Sequence, residues 1–573
     1  MMTGPLEQAM EHPIDRRDFL KAGAALAATP YLWMPAHAEE PAWRTRTVAP
    51  FIEVETGSGR IRGGHSRGAL AFKGIPYAGP VSGRNRFKAP PKVAPWTRVR
   101  DATGLGPPAP QEPGGTFGEY EPNYREDCLV LNVWTPALSG HRPVMFYCHG
   151  GGFTSGSGGS AAQDGAHLAA TYDVVVVESN HRLGLLGYLY LAELGGEEYA
   201  SSGNQGMLDI IAALAWVKQN IAAFGGNPAN VMAFGESGGG YKTAALLAMP
   251  AAHGLFHKAA IQSGPWLRGF SRDAATETAL RLLAGLDLTR HDVGKLHEVP
   301  VEKLLALQLA GQNGTGPLAV PTAEYRAHHR QPPVGSLSAS KARGPGGWGP
   351  VVDGSYLPLH PFDPAAPAIS MAVPLLIGNM HDEATFFERD NPEFFNADEA
   401  AMTSWLRNYV GDAADSILDV YHRTMPQATP VERAIAIQTA AIGGADTATL
   451  ADRKSRQPAP VYRYRNDYRS NVPIKDTNWT LRAGHACDIS QVFYNYEIPG
   501  LQGDGPGLAA VSKAMSGYFA SFARHGAPSA QGQPDWPRYD VDKRTVMLLD
   551  SQCRVVLDPD GEERRLWQSL DPR

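Results

Sequence analysis

From about residue 129 onward the chain alternates short, unbroken apolar runs with longer stretches whose apolar residues recur every three or four positions. The runs LVLNVW, VMFYC, VVVVES, VMAF and VPLLIG show little polar alternation, as strands buried on both faces of a parallel sheet do. Between them, stretches such as MLDIIAALAWVKQNIAAF carry helical spacing. This alternation predicts an α/β fold: a large, mostly parallel central sheet flanked by helices. The first segments differ. FIEVETGSGRIRGG and ALAFKGIPYA alternate apolar with polar residues and are broken by glycine, which predicts a small N-terminal antiparallel sheet. Residues 275–345 look helical up to about 310 and then become rich in Pro, Gly, Ser and His, predicting an insertion over the sheet that forms part of a lid. Residues 395–455 are helical again. Near the end, VSKAMSGYFASFARHG sets Val511, Met515, Phe519 and Phe522 at helical intervals before a glycine stop, predicting a surface helix packed on the core.

The N-terminus adds a targeting signal. In DRRDFLKAGAALAATPYLWMPAHAEE the pair Arg16 and Arg17 precedes an apolar run that closes on Ala36-His37-Ala38. That is the pattern of a twin-arginine export signal with a small-x-small cleavage site, too short to span a bilayer. Residues 1–38 are therefore expected to be removed, leaving 39–573 as a single domain, exported folded to the periplasm or beyond. No later apolar run approaches the roughly 18 residues of a spanning helix, so stable membrane insertion is not expected. With 52 Lys+Arg against 58 Asp+Glu, nothing points to nucleic acid or an anionic membrane. The four cysteines show no metal-ligand spacing, so no metal is indicated. Cys128 and Cys148 flank LVLNVW and VMFY; were these runs an antiparallel hairpin, a 128–148 disulfide would close one end.

Candidate chemistry begins with a choice between two serines. Both Ser66, in GGHSRGAL, and Ser237, in FGESGGGYK, satisfy G-x-S-x-G. Ser66 has no buried strand ahead and no helix behind. Ser237 follows VMAF and precedes GGYKTAALLAMP, the strand-turn-helix context of a nucleophile elbow, in which small residues such as Gly235 and Gly239 are needed at −2 and +2. That turn also leaves the Gly238 amide at a helix N-terminus, able to donate to an oxyanion. YCHGGGFTSG offers further amides in Gly150, Gly151 and Gly152, since consecutive glycines let backbone N–H groups converge. For the acid and base, the chain order Ser-acid-His draws attention to Glu383 in VPLLIGNMHDEATFF and His485 in RAGHACDISQVF. On chemistry alone Asp382 and His381 serve equally well.

A resemblance breaks that tie. FKGIPYA with RFKAPPKVAPW, EDCLVLNVW, HGGGF, NHRLGLLGYL, GNQGMLDIIAALAWVKQNIAAFGGNP, FGESGGG, AAIQSG, PVVDG, GNMHDEATFF, HACDISQVF and FARHGAP occur in the order of the type-B carboxylesterase/lipase family. The chain resembles this family, α/β-hydrolases that include cholinesterases and bacterial carboxylesterases, from about residue 52 to 550. The resemblance implies Ser237 as nucleophile, Glu383 as triad acid, His485 as base, and Gly151, Gly152 and Gly238 as oxyanion donors. It also implies a buried supporting network of Glu236, Ser263 and Asp488. Two departures stand out: Gly238 where the family usually has alanine, an exchange expected to loosen the backbone, and Ala109 where the family's cysteine partner of Cys128 should sit. The implied activity is two-step hydrolysis of small-molecule carboxylic esters without cofactor or metal. Amides, carbamates and lactones suit the same machinery, and the fold also hosts inactive binding proteins, which commonly lack a triad member. Trp266, Leu267 and Phe270 suit an acyl pocket or plain core packing equally.

Overall fold

Every unbroken apolar run forms a strand in a computed structural model, which describes residues 50–112, 124–312, 316–318 and 348–570. The strands are β1 (Ile52–Thr56), β2 (Gly59–Ser66), β3 (Ala69–Pro76), β4 (Arg100–Asp101), β5 (Val130–Thr135), β6 (Arg142–Cys148), β7 (Val175–Ser179), β8 (Gly226–Glu236), β9 (Lys258–Gln262), β10 (Leu375–Met380), β11 (Val461–Asn466), β12 (Ser470–Pro473), β13 (Thr480–Arg482), β14 (Thr545–Leu549) and β15 (Arg554–Leu557). Thirteen join one sheet in the order β1-β2-β3-β5-β7-β6-β8-β9-β10-β11-β14-β15, with β4 beside β2; β12 and β13 pair separately. From β7 to β14 every pairing is parallel. The β1–β3 meander is antiparallel, as expected, and continues into the central sheet because β3 pairs with β5.

The unbroken runs have a direct physical reading. Along β6, Val144, Phe146 and Cys148 enter one core cluster while Met145 and Tyr147 enter another on the opposite face. Both faces are covered, so neither parity of the strand can be polar. A third cluster, including Trp405, Ile417 and Phe394, involves the helices between residues 392 and 454. The helix Leu508–His525 buries Val511, Met515, Phe519 and Phe522 and ends at Gly526 in left-handed geometry. Helices Arg272–Gly285 and Val301–Gln312 open the predicted insertion, and its remainder from 319 to 345 lies outside the described residues.

Two expectations fail here. β5 and β6 are not a hairpin, because β7 lies between them. Two strand spacings of about 4.8 Å exceed the Cα separation a disulfide tolerates, and Cys128, Cys148, Cys487 and Cys553 are all free and buried. The second concerns apolar length. The helical segment Gln205–Phe224 is long and apolar enough to cross a membrane, but two thirds of it is buried inside the protein, so its apolarity serves the core.

Candidate active site

β8 ends at Glu236, and the helix Gly238–Leu246 begins two residues later. Ser237 makes the turn alone, with φ 55° and ψ −122°, a conformation that costs a non-glycine residue on the order of 1–3 kcal/mol. Its amide donates to the Gln262 carbonyl at 2.8 Å, and its carbonyl accepts from the Tyr241 amide at 3.0 Å, so the strain is held from both sides. The small neighbours are obligatory. A Cβ on Gly239 would lie 1.9 Å from the Cys148 oxygen, and one on Gly235 would lie 2.4 Å from the Gly239 carbonyl carbon. Ser66, by contrast, ends a strand at the hairpin turn Arg67-Gly68.

The glycine loop leaves the end of the adjacent strand β6. Gly151 and Gly152 take φ of 84° and 62°, a region that side chains disfavour. The loop reaches the elbow itself: a Cβ on Gly150 would sit 3.6 Å from the Ser237 Cβ, and one on Gly238 would sit 2.4 Å from the Gly152 nitrogen and 2.1 Å from its oxygen. Gly238 is therefore no mere loosening of the backbone. The two backbones approach too closely for an alanine at 238 unless the loop retreats.

The Glu383 carboxylate is held at the end of β10, where its Oε1 accepts from the Met380 amide at 2.8 Å. Its Oε2 accepts a short hydrogen bond from His485 Nδ1. Asp382, the competing carboxylate, points elsewhere. It pairs with Arg482 at 3.3 Å and lies 2.9 Å from His381; burial alone would raise its pKa, but the His381 hydrogen bond and the Arg482 charge outweigh burial and hold it at about 2. The turns carrying the two residues are stitched together, the Asp382 amide donating to the Ala483 carbonyl at 2.9 Å. Phe386 and Phe387 pack against the His485 ring.

On its other side His485 faces the residue before the elbow serine, with Nε2 3.3 Å from Glu236 Oε1. Burial pushes Glu236 up to about 8 and Asp488 up to about 6. For His485, burial favours the neutral ring, yet the carboxyls of Glu236 and Glu383 outweigh it and raise the imidazole to about 9. Asp488 Oδ2 accepts from Gln262 Nε2 at 3.0 Å and from the Tyr464 hydroxyl at 3.3 Å. These two partners escaped the sequence reading, Gln262 although it lies in AAIQSG and Tyr464 because it carries no motif. Among the described residues the half-buried Ser237 hydroxyl makes no hydrogen bond, nor does that of Ser263, which takes positive φ and donates its amide to the Gly378 carbonyl. Trp266 and Phe270 are buried in an aromatic cluster with Phe153 of the glycine loop and Tyr241 of the elbow helix.

Known proteins carry this architecture. The carboxylesterase family matches residues 49–567, and a twin-arginine translocation signal matches residues 13–30, so the chain is exported to the periplasm or beyond. The para-nitrobenzyl esterase of Bacillus subtilis (strain 168) is 34% identical over 525 residues, covering 89% of this chain and 97% of that protein. The liver carboxylesterase of Sus scrofa is 31% identical over 93% of this chain and 95% of its own. Among solved structures, a Geobacillus stearothermophilus carboxylesterase superposes with a TM-score of 0.75 at 34% identity, covering 90% of this chain and all of the other. Matched from the first strand of the sheet to the last helix, the chain belongs to the carboxylesterase family and is an exported carboxylic ester hydrolase.

Proposed function

We propose that the enzyme cleaves small-molecule carboxylic esters through an acyl-enzyme on Ser237, with His485 as the base and Glu383 as its partner, and that residues 39–573 form the mature catalytic domain after loss of 1–38. The observation that carries the reading is the strained serine at the end of β8, whose chain neighbour Glu236 lies 3.3 Å from Nε2 of the buried His485 imidazole while Nδ1 of that ring is tied to Glu383. With Nδ1–H donated to the carboxylate, Nε2 is the nitrogen left to take the Ser237 proton. The Ser237 oxygen then bonds to the ester carbonyl carbon, and the amides of Gly151, Gly152 and Gly238 receive the oxyanion. Each such donor is worth about a hundred- to a thousandfold in rate. Collapse breaks the bond to the alcohol, which leaves with the proton from Nε2. Water repeats the sequence with His485 as base, and the carboxylic acid departs.

Glu236, Ser263 and Asp488 are assigned the support of this centre. Burial holds the Glu236 carboxyl above the ordinary carboxylate range, and where it ionises its charge favours the imidazolium form of His485. The aromatic wall of Phe153, Tyr241, Trp266 and Phe270 abuts both the elbow and the oxyanion loop, and is assigned to the acyl side of the substrate, with Leu267 beside it. The test is turnover of p-nitrophenyl esters of graded acyl length, alongside matched anilides, carbamates and lactones. Ser237→Ala is expected to lower ester turnover by about a millionfold, as loss of a triad serine does elsewhere, while Ser66→Ala leaves it unchanged. Ester turnover surviving in Ser237→Ala would overturn the assignment.

A further inference from the structure

One buried side chain beside the site has no place in the mechanism above. Lys242 lies on the elbow helix, five residues beyond Ser237, and is fully buried. Its ammonium donates to the His149 carbonyl oxygen at 2.9 Å and stands 5.8 Å from the Phe153 ring centre. No carboxylate pairs with it among the described residues. Its polar surroundings are the Cys148 thiol and the stacked imidazoles of His149 and His181, and burial holds both imidazoles well below the ordinary histidine range, hence uncharged. Burial also lowers Lys242, to about 7, so the ammonium and the amine coexist near neutrality.

A buried cation without a counter-charge is costly, and an apolar side chain of similar length is often better tolerated. Its placement suggests what offsets the cost. The carbonyl it holds belongs to the peptide joining His149 to Gly150, which opens the oxyanion loop. Pinning that peptide plane sets where the following amides point. The missing negative charge arrives only when a tetrahedral oxyanion forms on the substrate, so the attraction grows toward the transition state and is absent from the ground state.

We propose that Lys242 is a positioning residue of the oxyanion loop, fixing the His149–Gly150 peptide and lending positive charge to the oxyanion without touching substrate. The inference rests on the assignment of Ser237 and its glycine donors. Lys242→Met is expected to lower kcat by about ten- to a hundredfold with KM changed less than about twofold. It should weaken a trifluoromethyl ketone transition-state analogue by the same factor, while thermal unfolding stays at the wild-type temperature or rises. Lys242→Gln keeps a donor without the charge and should recover part of the loss. Wild-type kcat in either folded variant would overturn the proposal, as would losses of kcat, KM and thermal stability moving together, which mark a purely structural lysine. If Lys242→Met does not fold, Lys242→Gln decides by the same criteria. A wild-type result here leaves the Ser237 assignment standing, because that is tested separately by Ser237→Ala.

Discussion

Three carboxyl groups, from Glu236, Glu383 and Asp488, act on the His485 imidazole, and their balance sets the pH range in which it can accept a proton. The ring must be neutral at Nε2 to act as base. With its pKa raised to about 9 by the neighbouring carboxyls, above the ordinary histidine value of about 6.5, kcat/KM should still be climbing with pH beyond neutrality and level off only above about 9. The same shift adds stability that is complete below the unfolded pKa and lost as pH rises through the folded one. Glu236→Gln removes one raising charge and should move the acid limb of the kcat/KM profile down by about one pH unit; an unmoved limb would show that Glu236 does not act on the ring. Gly238→Ala tests the close approach of the two backbones. Its methyl would meet Gly152, so kcat should fall by about ten- to a hundredfold with KM nearly constant. At this scale the elbow was readable because the strain demands glycines at fixed positions. The tie between Asp382 and Glu383 was not, since adjacent carboxylates differ only in the partners that distant loops bring: Arg482 for one, His485 for the other.

Elements were legible where their pattern is local. The two-faced apolar strands, the amphipathic helix ending at Gly526 and the helical stretch after residue 395 follow from spacing alone. Strand order does not, because a parallel strand's neighbour is selected by long-range crossovers; hence β7 between β5 and β6, and no bridge between Cys128 and Cys148. One contact ties the loop after β7 to the long core helix Gln205–Asn220. Arg182 donates from Nε and Nη2 to the Asp209 carboxylate at 2.8 and 2.7 Å, and its backbone amide donates to the same carboxylate at 3.0 Å, with both side chains buried. Asp209→Ala leaves a buried guanidinium without its partner and should cost about 3–5 kcal/mol. Urea denaturation of the variant measures it; a midpoint at the wild-type value would mean that water reaches Arg182 and the pair is dispensable.

For the whole molecule, export and cysteine chemistry meet. Four buried thiols, none paired, belong to a chain that carries a twin-arginine signal and is therefore expected to fold before it reaches an oxidising compartment. Thermal unfolding should occur at the same temperature with and without reductant, and the denatured protein should titrate four thiols. A lower melting temperature in reductant would reveal a disulfide that the fold as described does not allow. The lid half of the 275–345 insertion stays an expectation, and the aromatic wall beside the elbow is where acyl preference should be sought.

The most direct measurement is intact mass and peptide mapping after inactivation with a serine-directed phosphonate. One equivalent of adduct is expected, on the peptide containing Ser237, appearing at the rate at which ester turnover disappears and leaving Ser66 unmodified. Complete inactivation with the adduct on any other residue, or full labelling of Ser237 with turnover intact, would contradict an acyl-enzyme formed at the elbow.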